Sequence, residues 1–248
     1  MKVVLVFSQI TYVPGNCYPL LQEVLKRQST KIAGVVLLRN LTPDIFLSVI
    51  WLYTLGCTRM AGMLLFNLIN LFADERGKLV SAYGIPVLQP KSMNDPWVID
   101  WVKNNQIDCI INVRTRCIFK KEILNAPKFG CFNIHHGILP IYRGMYCDLY
   151  ALFERRPAGI SFHKMNLKID DGNIIYTREI SNSDDINYIN YLGRIYKYEA
   201  ELIHRFINFF LKHHLSPRGR IQTAHHIVYT RTPKQQIIKR MQHSGLQL

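Results

Sequence analysis

Met1–Phe7 (MKVVLVF) and Lys31–Leu38 (KIAGVVLL) are β-branched apolar runs, and between them Tyr18–Gln28 (YPLLQEVLKRQ) spaces Leu and Val at helical intervals. Strand, helix, strand at this spacing is a βαβ unit, and its two strands can pair only in parallel through the crossover helix. That one stretch assigns the chain to the α/β class, with a mostly parallel sheet and flanking helices.

Working outward, Ala82–Val87 reads as a short extended run and Pro96–Asn104 as an amphipathic helix. Asp108–Val113 (DCIINV) is a further buried strand, Phe119–Asn125 a short helix, and Gly130–His135 (GCFNIH) another strand. Gly144–Glu154 reads as helical, and Gly159–Met165 with Asn173–Ile180 as a paired, hairpin-like set. Continuous helical periodicity runs over Asp184–Leu215, opened by a cap signal at Ser183-Asp184-Asp185 and closed by Pro217. The remainder holds a strand-like piece, Ile227–Thr230, and a short helix near Lys234–Met241. The expected organisation is a core over residues 1–180 and a small C-terminal helix/strand extension over 181–248.

With 248 residues, 48% hydrophobic and 19% charged, the chain can bury one sizeable core, and a disordered class is excluded. No secretory signal is read at the N-terminus. The six cysteines lie far apart with no CxxC, so reduced thiols in a cytoplasmic protein are expected, with no metal and no disulfide framework. The net charge of +14 favours partners bearing phosphate: nucleic acid, an anionic membrane surface or a nucleotide-linked small molecule. No acidic residue follows Glu201. Ile45–Leu55 and Met60–Phe72 are strongly apolar, but each is too short to span a bilayer and Arg59 interrupts them. No spanning segment is expected; the core or a second subunit should cover both halves, with membrane-surface contact as the competing reading.

The chemistry-bearing region is Asn133-Ile134-His135-His136-Gly137-Ile138-Leu139-Pro140-Ile141-Tyr142-Arg143-Gly144. Asn133 and His135 are two apart on a strand and so share a face. They stand where the strand runs out into a loop, the edge at which open parallel sheets bind ligands. An amide beside an imidazole can stabilise a developing oxyanion and move a proton. Downstream, Asp170-Asp171-Gly172 is a turn with two adjacent carboxylates. Asp171 reads as an ordinary turn residue, whereas Asp170 can project back toward His135 and fix its tautomer.

N-I-H-x-x-x-L-P-x-Y-R-G followed by D-x-G resembles the 10-formyltetrahydrofolate-dependent formyltransferase family, over roughly Met1–Ile180. That family includes amino-sugar, methionyl-tRNA and glycinamide ribonucleotide formyltransferases. The resemblance implies a Rossmann-like core, an enzyme that transfers a formyl group to a primary amine, and catalytic roles for Asn133, His135 and Asp170. Gly159-Ile160-Ser161-Phe162-His163 is similar to the family's strand leading into the Asp turn, which makes His163 a structural or cofactor-loop residue. It also implies that main chain at Arg116, Cys117, Ile118 and Phe119, and at Met165, Asn166, Leu167, Lys168 and Ile169, wraps the pterin of 10-formyltetrahydrofolate. His136 and Gly137, which replace the family's commoner Pro-Ser, are assigned with Tyr142 and Arg143 to the acceptor.

For the acceptor, Ser8–Gly15 lacks the glycine-rich phosphate loop of the purine-pathway members, and too little chain follows Ile180 for the tRNA-directed members' extra domain. A nucleotide-diphosphate-linked amino sugar suits the basic surface, and Val228–Pro233 (VYTRTP) is similar to the tail strand of several sugar formyltransferases. A homodimer is expected. The reading from another class is a non-catalytic RNA- or membrane-surface-binding module on the same fold.

Overall fold

A computed structural model describes residues 1–182, 184–223 and 227–248. The opening unit forms as read: β1 (Val3–Ser8), α1 (Tyr18–Gln28) and β2 (Ile32–Leu38), with β1 and β2 parallel from Val4↔Gly34 to Ser8↔Leu38. After it come α2 (Pro43–Thr54), α3 (Thr58–Ile69), α4 (Glu75–Ala82), β3 (Val87–Leu88), α5 (Pro96–Asn104) and β4 (Cys109–Val113). The chain continues through α6 (Lys121–Asn125), β5 (Cys131–His135), β6 (Tyr142–Gly144), α7 (Cys147–Phe153), β7 (Gly159–Lys164) and β8 (Ile174–Glu179). It ends with α8 (Tyr188–His213), β9 (Val228–Thr230) and α9 (Gln235–His243).

Seven strands form one sheet in the order β3-β2-β1-β4-β5-β7-β8, parallel from β3 to β5, with β7 and β8 antiparallel. This is the Rossmann-like α/β architecture expected. The chain reverses its direction of travel across the sheet between β1 and β4, which leaves a crevice at the carboxyl ends of the central strands. Strand periodicity divides the core. Val3, Leu5 and Phe7 join a cluster with α1, α7 and α8, while Val4 and Val6 face a second cluster with α5 and α6. Each such side chain contributes about 1.5–3 kcal/mol when fully buried. Ile203, Phe206, Met241 and Leu248, all beyond Ile180, pack in the same cluster as β1. Parallel pairing of β6 with β9 ties the tail to the loop after β5.

Three expectations change. Asn187, not the Ser-Asp-Asp run, caps α8, accepting from the Asn190 N–H at 2.9 Å; Asp185 instead accepts from the Asn182 N–H and pairs with Arg194, and Ser183 lies outside the described residues. Ala82 ends α4, so the extended run there shrinks to Val87–Leu88, which pair with Val35 and Val36 of β2. The third concerns the apolar pair. α3 buries Met60, Ala61, Leu64 and Leu68, but α2 buries only Val49. On α2, Phe46, Leu47, Ile50 and Trp51 are exposed, because that helix has the rest of the molecule on one narrow side only, and Phe66 of α3 and Phe72 beyond it are exposed as well. The core therefore does not cover this face. No helix among the described residues is long and apolar enough to cross a membrane.

Candidate active site

Register across three strands places Asn112 opposite Asn133 and Asn133 opposite His163. Directly opposed residues on one face are close enough to touch, so β4, β5 and β7 present a polar row in an otherwise apolar sheet. Thr115 Oγ1 donates to Asn112 Oδ1 at 2.7 Å, and Asn112 Nδ2 donates to Asn133 Oδ1 at 2.8 Å. This fixes the amide of Asn133, whose Nδ2 lies 3.2 Å from His163 Nε2 and 3.4 Å from Asp170 Oδ1. His163 Nδ1 faces the Lys164 carbonyl at 3.0 Å. A carbonyl only accepts, so Nδ1 carries the proton and Nε2 can accept from Asn133.

His135 is held the same way. Its Nε2 donates to the Tyr142 carbonyl at 3.0 Å, leaving Nδ1 facing Asp170 Oδ2 at 3.5 Å. The Gly144 N–H donates to the same Oδ2 at 2.9 Å. The structure thus brings Asn133, His135 and Asp170 together, with His163 as a fourth member. Burial pushes the His135 imidazole below its ordinary pKa, opposed in part by Asp170. Burial would by itself raise Asp170, but His135, His163 and the Gly144 N–H together hold it well below the usual carboxylate range. The arrangement is a carboxylate beside a neutral imidazole, a pair that can take up and share one proton.

Gly137 has a steric reason to be glycine. A Cβ there would lie 2.6 Å from His135 Nε2 and 2.7 Å from Cys147 Cβ. His136 points elsewhere, with Nδ1 3.1 Å from Asp148 and Nε2 3.0 Å from Glu199, whose other oxygen accepts from Arg114 at 2.7 Å. Tyr142 acts here through its carbonyl, while its hydroxyl donates to Glu154 at 2.5 Å. Asp171 is more than a turn residue: it accepts from the buried Arg143, which also donates to Gln222 Oε1 at 2.9 Å.

The two segments assigned to the pterin flank one region, with Cys117 and Met165 packed against the second core cluster. Asn94 braces the first segment, donating to the Ile118 carbonyl at 2.9 Å and accepting from the Lys120 N–H at 2.8 Å. Ile118, Leu167 and Ile169, apolar residues of these two segments, are 65%, 67% and 53% exposed. Arg116 donates to the Tyr146 hydroxyl at 2.8 Å. Among the described residues, no group of three or more His, Cys, Asp or Glu is placed to hold a metal ion.

Sequence reasoning missed Asn112, Asn94 and Gln222. Asn112 left a trace, being the one uncharged polar residue in the apolar run DCIINV. The other two act on main chain far away in sequence and left none.

A family model described as formyl transferase matches residues 68–207, more than half of the chain. The methionyl-tRNA formyltransferase of Thermodesulfovibrio yellowstonii is 33% identical over 150 residues, 60% of this chain and 49% of that protein. The chain spans about half the length of the curated relatives it matches. Among solved structures, a sugar N-formyltransferase from a Shewanella species superposes with a TM-score of 0.60 at 15% identity, covering 93% of this chain and 76% of that one. Glycinamide ribonucleotide transformylase 1 from Symbiobacterium toebii also gives 0.60, at 16% identity, covering 90% and 94%. At these identities the two structures speak for the fold alone.

Proposed function

We infer the function from this premise: the chain belongs to the formyl transferase family. It is an enzyme that moves a formyl group from 10-formyltetrahydrofolate to a primary amine, in the cytoplasm. The observation that carries this reading is the cluster in which Asp170 lies 3.5 Å from His135 and 3.4 Å from Asn133 at the carboxyl end of β5. Main chain at Arg116–Phe119 and Met165–Ile169 would hold the folate, with Ile118, Leu167 and Ile169 against its ring. Bound there, it supplies a carbonyl carbon open to an amine and a nitrogen leaving group.

Asn133 is pre-oriented by Asn112, and its amide hydrogens make only long contacts. It can turn one of them to an oxygen gathering negative charge. His135, neutral because it is buried, takes the amine's proton on Nδ1, where Asp170 stabilises the imidazolium. The proton then returns to the leaving nitrogen, so no net charge accumulates in the site.

The acceptor is a nucleotide-linked amino sugar, which the absence of acidic residues after Glu201 supports. The second reading, methionyl-tRNA, is favoured by the named relative at 33% identity; glycinamide ribonucleotide comes third. A panel of amino-sugar nucleotides, charged methionyl-tRNA and glycinamide ribonucleotide, scored for tetrahydrofolate release, tests this. Turnover on tRNA alone rejects the sugar, and salt-dependent RNA binding without turnover rejects the enzyme. The exposed α2 face is covered by a second copy of the chain, since the core leaves it open and soluble monomers rarely expose so large an apolar patch.

A further inference from the structure

Asp170 sits at φ 51°, in the left-handed region that favours glycine and that other residues adopt at a cost. Such a conformation persists only where the surroundings over-determine it. The residues that do so belong to the C-terminal segment. Ile174 and Arg220 exchange both backbone hydrogen bonds, at 2.9 and 2.7 Å, laying the chain against the strand that follows the Asp turn. Gly219 makes the approach possible, because a Cβ there would stand 2.7 Å from Asn173 Cβ. Two residues beyond Arg220, Gln222 Nε2 donates to the Asp170 carbonyl at 2.9 Å and to the Gly172 carbonyl at 2.7 Å, while its Oε1 accepts from Arg143 at 2.9 Å. The amide thus uses both hydrogens and its oxygen, closing a bridge between the Asp170–Gly172 turn and the loop after β5.

The same tail fixes the other end of the carboxylate. Gly144, whose N–H donates to Asp170 Oδ2, lies in β6 beside Thr230 of β9. Thr230 donates to the Met145 carbonyl at 2.7 Å and accepts the Met145 N–H at 3.1 Å.

We propose that Gln222 is a positioning residue for Asp170, holding its backbone so that the carboxylate meets His135, and that the C-terminal segment is therefore part of the catalytic unit. The effect on turnover rests on the formyl-transfer reading; the positioning itself does not.

The test compares Gln222→Leu and Gln222→Glu with the wild-type full chain. Glu keeps an oxygen for Arg143 but cannot donate to the two carbonyls, so both variants should lose about 10- to 10²-fold in kcat, the scale of a misplaced group. KM for formyl-folate and amine should stay within about threefold, the signature of a loss confined to the chemical step. Gln222→Leu in an Asp170→Asn background should cost little more than Asp170→Asn alone. A normal Gln222→Glu enzyme, or full additivity with Asp170→Asn, overturns the proposal. NMR titration of the His135 imidazole gives a readout free of turnover: withdrawing Asp170 should lower its midpoint in both variants, and an unchanged midpoint overturns the positioning role. A wild-type chain that formylates no amine instead defeats the functional reading and leaves the imidazole titration to decide. Should the Leu variant fail to fold, Gln222→Glu carries the same tests.

Discussion

The polar row on β4, β5 and β7 and the apolar face of α2 invert the usual distribution in opposite senses. Asn112, Asn133, His135 and His163 are buried among apolar side chains, yet each has partners within hydrogen-bonding distance. Phe46, Leu47, Ile50 and Trp51 are apolar and exposed, with no protein surface over them. Burying a polar group is tolerable when its bonds are made inside, and exposing a few apolar groups costs little until they form a patch. The first inversion is closed within one chain and builds a site. The second is open and calls for another surface.

The sharpest way to break this contrast is to remove the polar row. If it is only a satisfied structural network, Asn133→Ala and His135→Ala should alter stability more than rate. The expected result is a loss of about 10²–10³ or more in kcat for each, with Asp170→Asn similar. Asp171→Asn should remain within about tenfold, since an amide oxygen can still accept from Arg143. Equal loss at Asp171 with a near-normal Asp170→Asn would reverse the assignment.

Gly137 probes the same site by shape rather than charge. Gly137→Ala drives a Cβ toward the His135 ring, which is anchored on the Tyr142 carbonyl and cannot swing aside cheaply. A drop in kcat of about tenfold or more is expected, with the fold retained by circular dichroism. An unimpaired enzyme would show that His135 need not hold this position.

Acid tests the electrostatics. Asp170 has a folded pKa below its unfolded value, so its stabilisation is present above the unfolded carboxylate pKa of about 3.9 and is lost as pH falls toward the folded one. Denaturant titrations should show wild type losing more stability than Asp170→Asn between about pH 5 and 3. Parallel curves would mean that the carboxylate gains nothing from its neighbours.

Much of this was legible in the sequence because it is local. The runs MKVVLVF and KIAGVVLL are buried on both sides of the sheet and so read as strands without alternation. Asn133 and His135 announce themselves by sharing a face at a strand end. The Gly159–Met165 and Asn173–Ile180 pair proved to be β7 and β8, joined antiparallel. What stayed hidden depends on distance. Nothing near Gln222 in sequence says that its amide meets carbonyls of residues 170 and 172, and nothing in Asp185 says that it prefers Arg194 to a helix cap. The exposure of α2 was hidden for the converse reason: a helix apolar nearly all round signals burial, but not by what.

The smallest effect on catalysis, and the one that bears on the open inversion, comes from α2 itself. Ile50 and Val49 are neighbours on this helix, one 60% exposed and the other 7%. Ile50→Glu puts a charge where water already reaches it, so the single chain should change by no more than about 0.5 kcal/mol and kcat should hold. Val49→Glu forces a carboxylate against Ile10, Leu64 and Leu68, a cost of several kcal/mol for an unpaired buried charge. Light scattering at increasing concentration should then show Ile50→Glu as a monomer where wild type is a dimer. A wild-type chain that stays monomeric would remove the second copy as the cover. An Ile50→Glu chain as unstable as Val49→Glu would show that α2 packs against its own fold after all, because only a side chain already in contact with protein can pay the same penalty as its buried neighbour.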